Sequence, residues 1–341
     1  KYLNNGTIKS TATLKELKIN DVQSLLPIEE SATVKDLLTS RSGVYHPAAN
    51  DGTDPAIPNR GTKQPGTYFV YNNWDFNVAG VLLEQATNQS IYELFYNDLA
   101  KPLGMQDFDR SKQKKYGDTK VSIYPASHFY LSTRDMARLG YLMLRKGNWK
   151  GKQLIPESWI ETSTTPVSST NAQNSMYTNY GYMWWIASDS VDPLLNGSYT
   201  AIGAYGQFIT VIPELEMVIA HKTKATYERH TMNYEQLLLK IVEEEKKESK
   251  QVTNQSDYLG TYLFQEGSES IQFELTLVND ELLLKGDQNF PFEFVLNLCN
   301  PTSAVFIFKQ MNNEINTITF DVDSNNSVTG LNFMGDHFVK K

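Results

Sequence analysis

Apolar residues at Trp74, Val78, Val81 and Leu82 recur at helical spacing and predict a helix from about Trp74 to Gln85. A second helical segment is predicted over 90–100. The clearest pattern runs from Ser132 to Lys146, where Met136, Leu139, Met143 and Leu144 form the apolar stripe. Ser132 and Asp135 make a capping pattern at its start, and Gly147 stops it. A shorter helix runs through Lys35-Asp36-Leu37-Leu38, with Ser31 or Thr33 to cap it and Ser42-Gly43 to end it. Pro156 suits the first turn of another, Glu157-Ser158-Trp159-Ile160. From residue 180 the period shortens to two. Tyr180 to Ile186, Gln207 to Ile212 and Met217 to Ala220 read as strands, and a helix follows near 231–243.

Helices, then clustered strands, then a helix predict an α/β (α+β) body whose antiparallel sheet is flanked by helices, over residues 1–245. The polar run from Glu243 to Ser256 reads as a linker, centred on 246–257. Beyond it, short strands over 258–265, 270–279, 281–286, 291–298, 303–309, 315–322 and 328–334 predict a small all-β barrel or sandwich at 258–341. His46 to Pro65 carries four prolines and two glycines, so it is a long irregular loop of the kind that forms lids or binding surfaces. Lys1 to Gly6 reads as the tail of a helix ending at Gly6.

Composition narrows the chemistry. With 31 Lys+Arg against 39 Asp+Glu among 341 residues, the net charge is −8, which argues against nucleic acid as a partner. No run of about 18 uncharged apolar residues exists to span a membrane. Cys299 is the single cysteine, and His46, His128, His221 and His230 lack metal-ligand spacing with one another or with carboxylates, so no metal and no cofactor is expected. Neither Gly-x-Ser-x-Gly nor a phosphate-binding Gly-rich loop with Lys occurs. Nothing in the pattern specifies an oligomeric state.

The candidate chemistry centres on Tyr71-Asn72-Asn73, just ahead of the 74–85 helix. Asn73 is also a natural N-cap for that helix, and Tyr71 a natural strand-end aromatic. Ala32-Thr33-Val34-Lys35-Asp36-Leu37-Leu38-Thr39-Ser40-Arg41-Ser42-Gly43-Val44-Tyr45-His46-Pro47 precedes it. Ser132-Thr133-Arg134-Asp135-Met136-Ala137-Arg138-Leu139-Gly140 and Gly151-Lys152-Gln153-Leu154-Ile155-Pro156-Glu157-Ser158-Trp159 follow it. In this order the blocks resemble the serine β-lactamase-like family of penicillin-binding proteins, class C β-lactamases and related esterases and amidases. The wording Tyr-Asn-Asn-Trp-Asp-Phe-Asn, with Gly-Ala-Tyr-Gly-Gln further on, is most similar to the branch containing 6-aminohexanoate-dimer hydrolases.

The resemblance spans about residues 1–240 and implies a serine hydrolase acting through an acyl-enzyme on an ester or amide. It implies that Tyr71 is general base and acid, its phenol needing a neighbouring lysine charge to lower its pKa from near 10. It implies that Asn73 orients substrate or that lysine. The third motif, Lys-Thr-Gly in β-lactamases, maps to Gly203, Tyr205, Gly206 and Gln207, where a strand N–H can complete an oxyanion hole. A glycine bulge in a strand is the plainer reading of that stretch. No Lys-Thr-Gly stands there, which lowers the expectation of β-lactam recognition. Tyr45, His46 and Trp184 are expected to contact substrate, although each also suits a packing role. Family order places the nucleophilic Ser-x-x-Lys upstream of Lys1. The one Ser-x-x-Lys within the chain, at Ser111 and Lys114, is charged, lacks an apolar stripe and follows Tyr71, so it reads as solvated loop. The resemblance also implies an exported protein. The alternative is a catalytically silent binding or sensor module of the same fold, although such a module has no need to keep both Tyr71 and Asn73.

Overall fold

The computed structural model describes residues 1–50, 57–170, 175–188, 191–223, 230–248, 255–266, 269–278, 281–288, 291–298, 305–309, 315–323, 325, 327–333 and 336–341. Cys299, Gly52 and Pro55, and 249–254 of the expected linker, lie outside them. The chain divides into two compact units, Lys1–Gln236 and Leu237–Lys341.

The first unit begins with one helical turn, in which the Asn5 N–H donates to the Lys1 carbonyl at 3.0 Å and Gly6 turns left-handed at φ +79°. Helix α1 (Val34–Leu38) is capped by Thr33, whose hydroxyl accepts from the Asp36 N–H while the Asp36 carboxylate accepts from the Thr33 N–H. Helix α2 (Asn73–Thr87) buries Trp74, Val78 and Leu82 against Leu14, Ile19, Leu25, Leu37 and Val44. The segment predicted as one helix over 90–100 is instead α3 (Ile91–Phe95), a wider π turn (Tyr96–Ala100) and α4 (Lys101–Leu103). Pro102 has no N–H to give the carbonyl one α-turn back, so regular winding fails just ahead of it. Two small ribbons, β1 (Lys114–Tyr116) with β2 (Ala126–His128) and β3 (Asn148–Trp149) with β4 (Lys152–Gln153), flank α5 (Thr133–Leu144); α6 (Glu157–Thr164) follows. Ser132 caps α5 by accepting from the Asp135 N–H.

The main sheet is antiparallel and follows chain order: β5 (Ser168–Ser169), β6 (Asn179–Tyr180), β7 (Trp185–Ile186), β8 (Tyr199–Gly203), β9 (Gln207–Ile212) and β10 (Met217–Lys222). The Tyr180–Ile186 run predicted as one strand is a tight hairpin. Met183 sits at φ +64°, and Gly181 lies so close to the Ser163 carbonyl that an added Cβ would come within 2.3 Å of it. Helix α5 crosses β9 and β10. A methyl at Gly140 would lie 2.4 Å from Val218 Cγ1 and 3.0 Å from Ile209 Cγ2. Gly140→Ala is therefore expected to cost about 1–3 kcal/mol in urea unfolding, with the denaturant slope unchanged, because stiff β-branched neighbours must shift.

Helix α7 (His230–Glu248) closes the series. It runs into the polar stretch read as linker because Glu and Lys are strong helix formers that need no apolar partner. In the second unit eight antiparallel strands, β11 (Gly260–Glu266), β12 (Glu269–Val278), β13 (Glu281–Gly286), β14 (Glu293–Leu298), β15 (Val305–Lys309), β16 (Ile315–Val322), β17 (Val328–Phe333) and β18 (Asp336–Lys340), form a closed barrel. The last strand pairs with the first through Tyr262↔Lys340 and Leu263↔Val339. Tyr262, Phe273, Leu284, Ile318, Leu331 and Phe338 fill it. Strand β18 has no counterpart among the sequence expectations, because its alternating Asp336-His337-Phe338-Val339-Lys340 is short and mostly polar. It is long enough to close the barrel and remove the free edges.

Candidate active site

Tyr71 ends an extended run anchored where the Val70 N–H donates to the Ser40 carbonyl at 2.9 Å. Its ring is 40% exposed. It packs on Phe76 at 4.9 Å, Trp185 at 5.3 Å and Tyr180 at 6.3 Å between ring centroids. Phe69, two residues back on the same face of the run, touches the same pair, at 5.1 Å from Tyr180 and 6.1 Å from Trp185. The β6–β7 hairpin makes this possible, since Tyr180 and Trp185 are a cross-strand pair whose rings meet edge to face at 5.1 Å. Burial raises the pKa of Tyr180 well above its ordinary value, and a charge on Tyr71 adds to that, so Tyr180 stays an un-ionised phenol within the wall.

Asn73 is the first residue of α2, and the cap is Asn72. Asn72 Oδ1 accepts from the Trp74 N–H at 3.1 Å, while its Nδ2 donates to the Val44 carbonyl at 2.9 Å. The expectation that Asn73 caps the helix is thus displaced by one residue. Asn72 is buried and committed on both sides, whereas Tyr71 is exposed and Asn73 half-buried.

The third-motif stretch forms a three-residue turn from β8 to β9, closed by the pair Gly203↔Gln207 with the ladder in register, so no bulge occurs there. Tyr205 and Gly206 are both left-handed, at φ +64° and +82°, and the Tyr205 ring is 45% exposed. Gln207 Nε2 donates to the Ala204 carbonyl at 2.9 Å, and His221 Nδ1 lies 3.2 Å from the Gly206 carbonyl. Thr200 in β8 pairs with Trp185, and Gly203 lies three residues further along that strand, about 10 Å at strand rise. The turn therefore ends the strand that pairs with the Trp185 strand of the hairpin.

The three residues expected to contact substrate are buried or half-buried in the fold. The His46 ring is fully buried: its Nε2 accepts from the Gln23 N–H at 3.3 Å, so Nδ1 carries the proton and donates to the Pro47 carbonyl at 2.8 Å. Tyr45 is buried with its phenol pushed up to about 12, by burial first and then by Asp75. Trp184 turns to the opposite face of the hairpin from Trp185, meeting Tyr199 edge to face at 5.1 Å in a cluster with Met143, Ile160 and Val211. The tight turn resets the alternation of faces, so of the aromatic set Tyr180, Tyr182, Trp184 and Trp185 that the sequence offers as a pocket wall, Tyr180 and Trp185 meet Tyr71. Phe69 and Phe76 are the wall residues this misses. The i, i+2 spacing of Phe69 and Tyr71 was the available signal. Among the described residues no group of three His, Cys, Asp or Glu side chains could hold a metal ion, and no helix is long and apolar enough to cross a membrane.

A beta-lactamase family model matches residues 21–240, which include α1, Tyr71, Asn73 and the β8–β9 turn. The chain belongs to the beta-lactamase family. This beta-lactamase-family chain is 27% identical, over 224 residues, to an uncharacterized protein of Alkalihalophilus pseudofirmus; the match covers 60% of the chain. It spans 62% of the length of that curated relative. In fold it is similar to a putative 6-aminohexanoate-dimer hydrolase from Bacillus anthracis, with a TM-score of 0.52 and 22% identity, covering 72% of this chain and 69% of that one. It is also similar to EstCE1, a hydrolase with promiscuous acyltransferase activity, at TM-score 0.50 and 13% identity, covering 69% and 78% respectively.

Proposed function

We propose that this protein is a serine hydrolase that cleaves an ester or amide through an acyl-enzyme, with its Ser-x-x-Lys nucleophile in sequence preceding Lys1. The observation that carries the reading is the half-exposed Tyr71, held against an aromatic wall at the mouth of α2 and two residues ahead of Asn73. A serine hydroxyl is a weak nucleophile and needs a base within hydrogen-bond reach. In this reading the Tyr71 phenol takes the serine proton during attack and returns it to the leaving group. Asn73 orients the carbonyl or the lysine. A backbone N–H of the Gly203–Gln207 turn serves as one oxyanion donor.

Phe69, Phe76 and Trp185 around Tyr71, with no Lys-Thr-Gly to bind a carboxylate, favour an apolar ester or amide over a penicillin. The hydrolase names of the fold relatives agree with this class. An exported location is part of the same proposal. The test is covalent labelling with a fluorophosphonate probe. The protein carrying the preceding sequence is expected to take up one equivalent, and residues 1–341 alone none. Failure of the longer protein to label would favour a silent binding module.

A further inference from the structure

Hydrogen bonds at the start of α2 form a closed circuit. Asp75 Oδ1 accepts from Ser42 Oγ at 2.7 Å, and Ser42 Oγ accepts from the Val44 N–H at 3.1 Å. The Val44 carbonyl accepts from Asn72 Nδ2 at 2.9 Å, and the Asn72 carbonyl accepts from the Asp75 N–H at 3.1 Å. Ser42, Val44, Asn72 and Asp75 are all buried, at 2%, 0%, 5% and 1% exposure. The residue between Tyr71 and Asn73 is thereby tied through its side chain to the 42–44 segment and through its backbone to Asp75.

Asp75 is the member with something left over. Its Oδ2 is buried and has no hydrogen-bond partner among the described residues. Among the described residues no cation pairs with Asp75, so a carboxylate charge there is met only by Ser42 and is costly, whereas the protonated acid presents only a dipole. Burial, with the charge of Asp36 on α1 adding to it, raises the pKa of Asp75 well above the carboxylate range, against the downward pull of Ser42. The other titratable groups facing it, Tyr45 and Tyr180 on β6, are buried phenols whose own pKa values are raised, so neither supplies a countercharge.

We propose that Asp75 is a positioning residue: as an uncharged acid it closes the circuit that holds Tyr71 against the aromatic wall and Asn73 at the start of α2. It resembles a core carboxyl kept neutral so that it can hydrogen-bond without a charge to solvate. The functional meaning rests on reading Tyr71 and Asn73 as site residues, but the geometry is tested without substrate, on residues 1–341.

Two measurements test it. A folded-state value raised above the unfolded one, about 3.9, gives stability that is complete below that pH and declines as pH rises toward the folded value. The urea midpoint of Asp75→Asn, relative to the parent, is therefore expected to climb steadily above about pH 4, since Asn cannot ionise. The Tyr71 ring signal in ¹³C-tyrosine spectra, assigned by its loss in Tyr71→Phe, should stay in place in Asp75→Asn and shift in Ser42→Ala. A pH-independent midpoint difference would overturn the uncharged acid. An unmoved Tyr71 signal in Ser42→Ala would overturn the positioning role, and neither result bears on probe labelling.

Discussion

Tyr71→Phe in the protein carrying its preceding sequence is expected to keep the fold while turnover of a simple ester falls by about 10²–10⁴-fold. The ring makes the packing contacts, with Phe76, Trp185 and Tyr180, and the substitution removes only the hydroxyl. The loss should fall on kcat, because a proton shuttle acts in the transition state and contributes little to ground-state binding. Hydrolysis of p-nitrophenyl acetate, with thermal unfolding as the control, reads both. An unchanged rate would remove Tyr71 from the chemistry, and a collapsed melting curve would make its hydroxyl a packing element.

Asp21→Ala is expected to be the most damaging single change to the fold of the first unit. Its buried carboxylate accepts from Trp74 Nε1 at 2.8 Å, from Ser122 Oγ, and from the Ile123 and Val22 N–H groups at 2.8 and 2.7 Å. Alanine strands all four donors, two of them on side chains buried in the core, and leaves a cavity. A cost of about 3–5 kcal/mol in denaturant unfolding follows. Burial pushes the Asp21 pKa up, but the bonds from Ser122, Trp74, Ile123 and Val22 outweigh it and hold the pKa below normal. Its stabilisation is thus present above the unfolded carboxylate value and lost as pH falls through the folded one. The gap between parent and variant should narrow in acid, the reverse of the trend expected for Asp75. A gap independent of pH would mean that the carboxylate is not the hub.

The helices of the first unit were legible because burial on one face forces a 3.6-residue period, as in Met136 and Met143 of α5. The barrel strands were legible for the same reason at period two, as in Leu282 and Leu284 of β13. What failed was whatever depends on one turn. Met183 in a left-handed conformation converts one expected strand into a hairpin and moves the wall from Trp184 to Trp185. The place of Tyr71 just ahead of α2 was legible, because the apolar period of the helix starts at Trp74. The Asp75 circuit was not, because its links join residues about 30 positions apart, Ser42 to Asp75 and Val44 to Asn72, whose proximity only the folded chain creates. His46 is a related case: beside Pro47 at the mouth of a loop it looks available in sequence, while its partners Gln23 and Asp21 lie far back in the chain and the ring is buried.

The most direct measurement of the central claim is the position of a fluorophosphonate adduct, found by peptide mass spectrometry on the protein expressed with its preceding sequence. The account places it on the serine of a Ser-x-x-Lys ahead of Lys1, with labelling slowed in Tyr71→Phe. An adduct on any serine within 1–341, Ser111 included, would contradict it.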